Sequence, residues 1–196
     1  MKKTFIIVAI IIVVLFGIYT FFKSSYNSMV KLDENVSEKW AQVENVYQRR
    51  ADLIPNLVAT VKGFAEQERE VLVGITEARA KASSMNINAE NMTDANFKAF
   101  QEAQDQLTGA LSRLMVTVER YPELKSDKNF QELQAQLEGT ENRIAVERRN
   151  FNTATKEYNQ TIRQFPKNIL ASWFGFEIKP YFEAVAGSDV APKVAF

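Results

Sequence analysis

The chain has 196 residues, its 24 lysines and arginines are balanced by 24 aspartates and glutamates, and it contains no cysteine and no histidine. Without these two residue types, disulfides, thiolate or histidine metal sites, Ser-His-Asp and Cys-His catalysis and histidine-ligated di-iron bundles are excluded. The zero net charge argues against a dedicated nucleic-acid binder, which normally carries a basic excess. The composition therefore predicts no metal site and no cofactor, and it indicates no small-molecule substrate.

A membrane span is predicted near the N-terminus. A short basic leader, residues 1–3, precedes an uncharged run rich in Ile, Val, Phe and Leu over residues 4–22. As a helix, this run would reach about 28 Å, close to the ~30 Å hydrocarbon core of a bilayer. We expect the span to stay attached as a signal anchor, because residues 21–26 offer no small-x-small cleavage site. The leader favours an N-terminus inside and a domain outside the cytoplasm, although lysines nearly balance on the two sides.

A first long helix is predicted to continue directly from the span. From Val36 onward, apolar residues recur at alternating spacings of four and three, the heptad pattern of long helices that pack side by side. The pattern predicts one helix through a juxtamembrane stalk, residues 23–56, and on to residue 84. Pro55 removes one backbone hydrogen bond, and we expect it to kink this helix rather than end it, because the seam keeps its phase across the site.

Two further helices are predicted after an asparagine-rich loop at residues 85–92. One spans residues 94–121 and is stopped by Pro122, and the other spans residues 128–165. Together with the end of the first helix, they predict a three-helix bundle over residues 57–166, arranged up, down and up. No segment of this domain shows the period of a strand. The predicted fold is therefore all-α: a transmembrane helix that continues into an antiparallel, coiled-coil-like bundle.

An aromatic-rich tail, residues 167–196, is predicted to follow the bundle. From Phe165 onward, seven aromatic side chains occur at about twice the 11% average of the chain. Such a segment can cap a bundle, contact a neighbouring subunit or lie at a bilayer interface. We favour the first two, because a straight third helix would carry the tail about 55 Å beyond its own stalk.

Comparison of the three helix lengths leaves two apolar seams without a partner in the same chain. They lie on the stalk of the first helix and on the upper part of the third. An exposed apolar stripe of this length implies a partner, so the sequence predicts a homo-oligomer. The residues predicted to form its interface are Val36, Trp40, Val43, Tyr47, Phe151, Tyr158 and Phe165.

Polar side chains interrupt the seams, and we expect them to set helix register. They are Arg50, Glu68, Gln104 and Glu147. The interior carboxylates could instead bind a cation or relay protons, which is the less common role of such residues. Beside Arg50, we expect Arg49 to pair with Asp52 three residues further on, with an anion or lipid-headgroup contact as the alternative.

One short motif resembles a catalytic pair. Ser28 and Lys31 have the spacing of a Ser-Lys nucleophile, but both residue types are common and supporting motifs such as Lys-Thr-Gly are absent. Both residues also lie on the juxtamembrane stalk, where we foresee no pocket. We therefore predict that this protein is not an enzyme.

Several ordered motifs resemble the LemA family of bacterial membrane proteins. The longest runs from Trp40 to Val58 and reads WAQVENVYQRRADLIPNLV. The others are ERYPELK at 119–125, LEGTENRIA at 137–145, the pairs Tyr158-Asn159 and Phe165-Pro166, and YFE at 181–183. The resemblance covers nearly the whole chain. It implies a single-span protein of the bacterial cytoplasmic membrane with a long helical bundle, often encoded near membrane metalloproteases or other envelope proteins, and it brings no enzymatic activity and no catalytic residues.

Two functional hypotheses follow. The first is a membrane-anchored, non-enzymatic scaffold that self-associates through its helical seams and presents a helical surface to envelope partners, among them membrane metalloproteases. The alternative is a component of a transport or channel assembly whose interior polar residues line a conduit. The span carries no charged residue between Thr4 and Phe22, which weakens this alternative.

Overall fold

The computed structural model describes residues 2–64, 67–85, 87–89 and 91–183. Every regular element within these ranges is a helix, so the all-α prediction is confirmed. Met1 of the predicted leader, residues 65–66 of the predicted first helix, Asn86 and Glu90 of the predicted loop and residues 184–196 of the predicted tail lie outside the described part. The helices are α1 (Lys2–Phe64), α2 (Arg69–Ser84), α3 (Asp94–Val118), α4 (Pro122–Ser126), α5 (Lys128–Arg163) and α6 (Lys167–Phe174).

Helix α1 joins the predicted span to the bundle without a break. It is one helix of 63 residues that passes through Pro55. Within the described chain it is the one helix that is long and apolar enough to cross a membrane, and its most apolar window has a mean hydropathy of 3.0 with none of it buried. Further along, Met29, Val36 and Trp40 of the same helix are buried in the bundle. The span and the core of the bundle are therefore parts of one rod, roughly 95 Å long.

The first helix ends earlier than the heptad pattern predicts. We expected one helix to residue 84, whereas α1 ends at Phe64 and a separate α2 begins at Arg69. The Nε of Arg79 donates to the carbonyl oxygen of Ala51 at 2.7 Å. In one continuous helix these two residues would lie about 42 Å apart, so α2 must fold back along α1. The prediction of a continuous helix is wrong, because the apolar spacing of α2 also suits a helix that packs against α1.

Four long helices, not three, therefore form the bundle. Helix α1 leads away from the span, α2 returns, α3 leads away and α5 returns, with α4 as a short connection. Arg50 of α1 contacts Gln104 of α3 and Glu141 of α5. Ten residues nearer the span, Trp40 contacts Phe151, which lies ten residues further along α5. The equal and opposite steps show that α1 and α5 are antiparallel neighbours over this length.

The two predicted seams without partners pack against each other. Because α2 is a fourth helix in the bundle, α5 runs back to the span end of the bundle and lies along the stalk. Six of the seven predicted interface residues are consequently buried inside the single chain: Val36 0%, Trp40 2%, Val43 0%, Tyr47 6%, Phe151 0% and Tyr158 1% exposed. The seventh, Phe165, is 81% exposed. The prediction that the six form an exposed oligomer interface is wrong, since their apolar surface is already covered by the chain itself.

Candidate functional site

Arg50 is a charged side chain enclosed at the centre of the bundle, with 1% of it exposed. It lies three residues after Tyr47 on the inward face of α1. Its Nη1 donates to Glu141 Oε1 at 2.7 Å and to Thr108 Oγ1 at 2.9 Å. Its Nη2 donates to Gln104 Oε1 at 2.5 Å. One side chain thus connects three helices at one level, which suits the predicted role in setting register.

The charge of Arg50 is only partly compensated by its carboxylate partner. The Glu141 side chain is 42% exposed, so water competes for it. The Tyr47 ring contributes a cation-π contact, with its centroid 5.0 Å from the guanidinium carbon of Arg50. The Nε of Arg50 finds no acceptor among the described residues. Burial raises the pKa of the Tyr47 phenol, although the positive charges of Arg148 and Arg50 act to lower it. The arginine side chain therefore occupies this level of the core.

The two carboxylates predicted at seam positions lie far apart and do not line a shared interior space. Glu68 precedes α2 at its N-cap position, where it accepts a hydrogen bond from the Tyr121 hydroxyl at 2.8 Å and lies 3.3 Å from Arg120. Glu147 is half-exposed on α5 and accepts from Asn150 Nδ2 at 2.9 Å. Glu147 is therefore not an interior carboxylate, whereas the Glu68 side chain is largely buried, with 16% of it exposed, at the junction before α2. The positions of these two groups do not favour a conduit lined by them. Gln104, another polar seam residue of this set, is buried as predicted.

The structure also places the predicted Arg49–Asp52 pair and the Ser28–Lys31 motif. Asp52 accepts a hydrogen bond from Gln48 Nε2 at 2.8 Å, whereas Arg49 is exposed, so the predicted Arg49–Asp52 pair is wrong. Ser28 is half-buried and Lys31 is exposed on α1, and within the described chain no hydrogen bond joins their side chains. Nothing in this geometry activates a serine nucleophile.

An aromatic cluster occupies the bundle between Arg50 and the span. The Trp40 ring lies at its centre, and its Nε1 donates to the carbonyl oxygen of Ile87 at 2.8 Å. The neighbouring ring centroids lie 5.7 Å (Phe97), 5.3 Å (Phe100), 5.5 Å (Phe151) and 6.2 Å (Phe182) away. Phe182 belongs to the tail, so the cluster is complete only when the tail is in place.

The tail segment 176–183, which has no regular secondary structure, packs between α3 and α5. Asn159 of α5 donates to the carbonyl oxygen of Lys179 at 2.8 Å and accepts from its backbone N–H at 3.0 Å. Asn152 makes the same pair of bonds to Phe182, at 3.0 and 2.9 Å. Each asparagine amide therefore satisfies both backbone groups of one tail residue. We call these four hydrogen bonds, from Asn159 to Lys179 and from Asn152 to Phe182, the tail latch.

The spacing of the latch shows how the tail lies. The two asparagines are one heptad apart on α5, a distance of about 10.5 Å along the helix. Lys179 and Phe182 are three residues apart, and an extended chain covers about 10 Å in three residues. Because the higher-numbered asparagine binds the lower-numbered tail residue, the segment runs antiparallel to α5. The tail is thus held as an extended peptide.

The side chains of the tail add contacts that depend on its sequence. The Lys179 ammonium group forms an ion pair with Asp33 of α1 and lies 5.4 Å from the Tyr158 ring centroid. Burial raises the pKa of the Tyr158 phenol, and the Asp33 charge acts in the same direction. At the other end, the Arg148 guanidinium carbon lies 4.6 Å from the Phe182 ring centroid. This geometry is that of a peptide-binding groove filled by its own chain.

Replacement of Asn159 by alanine is expected to loosen the tail without unfolding the bundle. The variant loses both part-buried bonds to Lys179, and leaving these backbone groups unpaired costs at most about 1 to 3 kcal/mol. Amide hydrogen exchange of residues 176–183 should therefore become about tenfold faster or more. Asn150→Ala on the same helix is the matched control, because the bond that the Asn150 side chain makes within the described residues is to the Glu147 side chain and not to the tail. Unchanged exchange in Asn159→Ala would contradict the latch.

Sequence reasoning missed the latch residues. Asn152 and Asn159 lie one heptad apart, but they are polar positions next to an apolar seam, where solvent exposure is the usual outcome. Their partners on the tail follow Gly175, whose φ of 75° ends α6 and turns the chain. Within the described residues, no group of three or more carboxylates is placed to hold a metal ion.

The fold and the site define a membrane-associated helical bundle that binds its own tail. The sequence model of the LemA family matches residues 39–196, so the chain belongs to the LemA family. It is 28% identical to magnetosome protein MamQ 2 of Paramagnetospirillum magneticum over 84% of this chain, and it spans just under two thirds (66%) of that relative. It is 27% identical to magnetosome protein MamQ of Magnetospirillum gryphiswaldense, over 96% of this chain and 77% of the relative. Protein LemA of Metamycoplasma hominis is 23% identical, over 87% and 74%.

Proposed function

We propose that this protein is a non-enzymatic scaffold that holds a helical bundle in a fixed relation to its membrane and presents it to envelope proteins. The observation that carries the proposal is the continuity of α1, which is span at one end and core of the bundle at the other. No relative described above is named for a reaction, which is in keeping with a non-enzymatic role.

Continuity of α1 has a mechanical consequence. Residues 23–64 of this helix reach about 63 Å from the end of the span. Because Met29, Val36 and Val61 are all buried, the bundle packs around the rod along most of this length. A protein bound to the bundle would be held at a set height above the bilayer, whereas a flexible linker would leave that height undefined.

A basic stripe on α5 supports partner binding on one face. Arg149, Lys156 and Arg163 are exposed and one heptad apart, so they form a line that runs toward the span. The groove beside this line is lined by Arg148, Arg149, Lys156 and Arg163 and by one acidic residue, Glu183, so this face is locally basic although the chain as a whole has no net charge. An acidic segment of another envelope protein has the complementary charge. Membrane metalloproteases are one class of candidate partner.

The scaffold proposal is tested by photocrosslinking in the native membrane. A crosslinker at Thr153, which is exposed between Arg149 and Lys156, should give discrete adducts. The charge reversal Arg149→Glu with Lys156→Glu should reduce them, whereas Lys98→Glu on α3 should not. A flexible Gly-Ser insertion between Lys23 and Ser24 should also reduce them, because it uncouples the bundle from the span. Adducts that survive both changes, or a complete lack of adducts, would overturn the proposal.

Self-association remains part of the proposal, on a surface other than the buried seams. Exposed apolar side chains at the end of the bundle far from the span support it: Phe64 42%, Val73 46% and Val116 73%. The full chain in lipid nanodiscs should show particle masses with more than one copy of the 22.3 kDa chain, and Val73→Ser with Val116→Ser should shift them toward one copy. A single copy throughout would contradict self-association.

For localisation, we propose the bacterial cytoplasmic membrane, with the bundle outside the cytoplasm. The basic leader supports this orientation. Since the chain has no native cysteine, single cysteines report topology cleanly. In intact cells, a cysteine in place of the exposed Asn129 at the start of α5 (Asn129→Cys) should react with a membrane-impermeant maleimide, and Lys2→Cys should not. The reverse pattern would invert the orientation.

A further inference from the structure

Helix α6 lies beside the end of the membrane span. The Phe174 ring packs against the Tyr26 ring of α1, with 4.8 Å between the centroids. Leu170 and Ala171 of α6 are buried, as are Ser25 and Met29 of α1 at the same level. The expectation that the tail begins far from its stalk is therefore wrong, because α5 returns to the span end of the bundle and delivers α6 there.

The height of α6 above the span can be read from α1. Tyr26 lies four residues after Phe22, the last residue of the apolar run, and so about 6 Å further along the helix. The headgroup layer on each side of the hydrocarbon core is about 5 to 8 Å thick. The contact between Tyr26 and Phe174 thus falls at the depth of that layer.

The outer face of α6 has the composition of a membrane-interface segment. Its large apolar side chains are exposed to 50% (Ile169), 75% (Trp173) and 51% (Phe174). Phe165, just before the helix, is 81% exposed. Ile169 and Trp173 are four residues apart and share one face of the helix. Trp and Phe beside Lys and Arg are typical of segments that lie in a bilayer interface, and Arg163 and Lys23 are both exposed nearby.

We propose that α6 is an interfacial helix whose exposed face, Ile169 and Trp173, inserts together with the preceding Phe165 into the headgroup region of the bilayer that α1 crosses. The occupant of this face is lipid, because the face adjoins the lipid-contacting surface of the span and lies in the headgroup layer just beyond its end. Phe165, predicted as an oligomer contact, is assigned to lipid. The inference depends on the membrane span and on α6, and it does not depend on the scaffold role.

This contact would give the bundle a second attachment to the membrane. A single helix can adopt a range of tilt angles in a bilayer. A second contact on one side of α1 selects the tilt that brings α6 to the interface. The tail latch follows α6 directly, so its position relative to the bilayer is set as well.

The chain contains two tryptophans, which makes the test direct. Trp40 lies 18 residues after Phe22, about 27 Å beyond the span, and is buried. The full chain is reconstituted at one copy per nanodisc in phosphatidylcholine with brominated acyl chains, which quench tryptophan near lipid. Part of the emission should be lost relative to unbrominated lipid, and this loss should disappear in Trp173→Phe.

A matched control places a tryptophan on an equally exposed site far from the span. Trp173→Phe with Val116→Trp should be quenched by aqueous acrylamide and not by brominated lipid. If Trp173 behaves like this control, it faces water and the proposal is overturned. If it is protected from both quenchers only at several copies per nanodisc, its face is a subunit contact, which also overturns the proposal. Lipid quenching at one copy per nanodisc supports it whether or not the scaffold proposal survives.

Discussion

Replacement of Trp40 by alanine is expected to lower the free energy of unfolding of the bundle by about 3 to 5 kcal/mol, the usual cost of truncating a large buried aromatic side chain. Trp40 is 2% exposed and contacts four phenylalanine rings, so the cavity cannot be filled by a small shift of one neighbour. The loss is measured by denaturant unfolding of the full chain in detergent micelles, followed by circular dichroism.

Trp40→Phe is the matched variant. It keeps a ring in the cluster but loses the hydrogen bond to the Ile87 carbonyl oxygen, so the loss should be clearly smaller than for alanine. Phe182 meets the same cluster, and Trp40→Ala should therefore also loosen the tail. If Trp40→Ala instead reduced the particle mass in nanodiscs and left the unfolding free energy unchanged, Trp40 would be a subunit contact after all.

Replacement of Arg50 by methionine is expected to cost about 2 to 3 kcal/mol of unfolding free energy, because Gln104 then keeps a buried amide without its partner. Breaking a fully buried ion pair costs about 3 to 5 kcal/mol. The loss should be smaller here, because the Glu141 side chain is 42% exposed and can be rehydrated. The measurement is the same denaturant unfolding.

Two further variants separate the network from simple packing. Arg50→Met combined with Gln104→Met removes both buried polar partners and should recover much of the lost stability, since an apolar pair of similar shape needs no hydrogen bonds. Arg49→Met changes the exposed neighbour and should shift stability by no more than about 0.5 kcal/mol. Equal losses in Arg49→Met and Arg50→Met would show that the buried network contributes nothing specific.

The burial of the seam residues on α1 could be predicted from the sequence, but the helices that bury them could not. The heptad spacing of Val36, Trp40, Val43 and Tyr47 marks an inward face of a long helix, and all four are buried. The prediction that a second copy of the chain buries these side chains was wrong, because it depended on a first helix that ends at residue 84, whereas α1 ends at Phe64. Between Phe64 and Arg69 the chain folds back, and the sequence there has no proline or turn motif to mark the break.

The candidate site was less predictable than the fold. The latch joins Asn159 to Lys179 and Asn152 to Phe182, residues 20 and 30 positions apart. Local spacing carries no information about such pairs, and an asparagine beside an apolar seam more often faces water. The resemblance to a family drew attention to Tyr158-Asn159 and to YFE at 181–183, but not to their contact.

The sequence by itself determined the features that depend on local composition and period. These are the membrane span, the all-α class, the inward faces of the helices and the exclusion of cysteine and histidine chemistry. Only the tertiary structure decided where the chain reverses and therefore how many helices the bundle has. That choice brings α5 back to the stalk, fills the seams from within and carries α6 to the end of the span. The physical reason is that a heptad face specifies burial against some helix, whereas the identity of that helix depends on where the chain reverses.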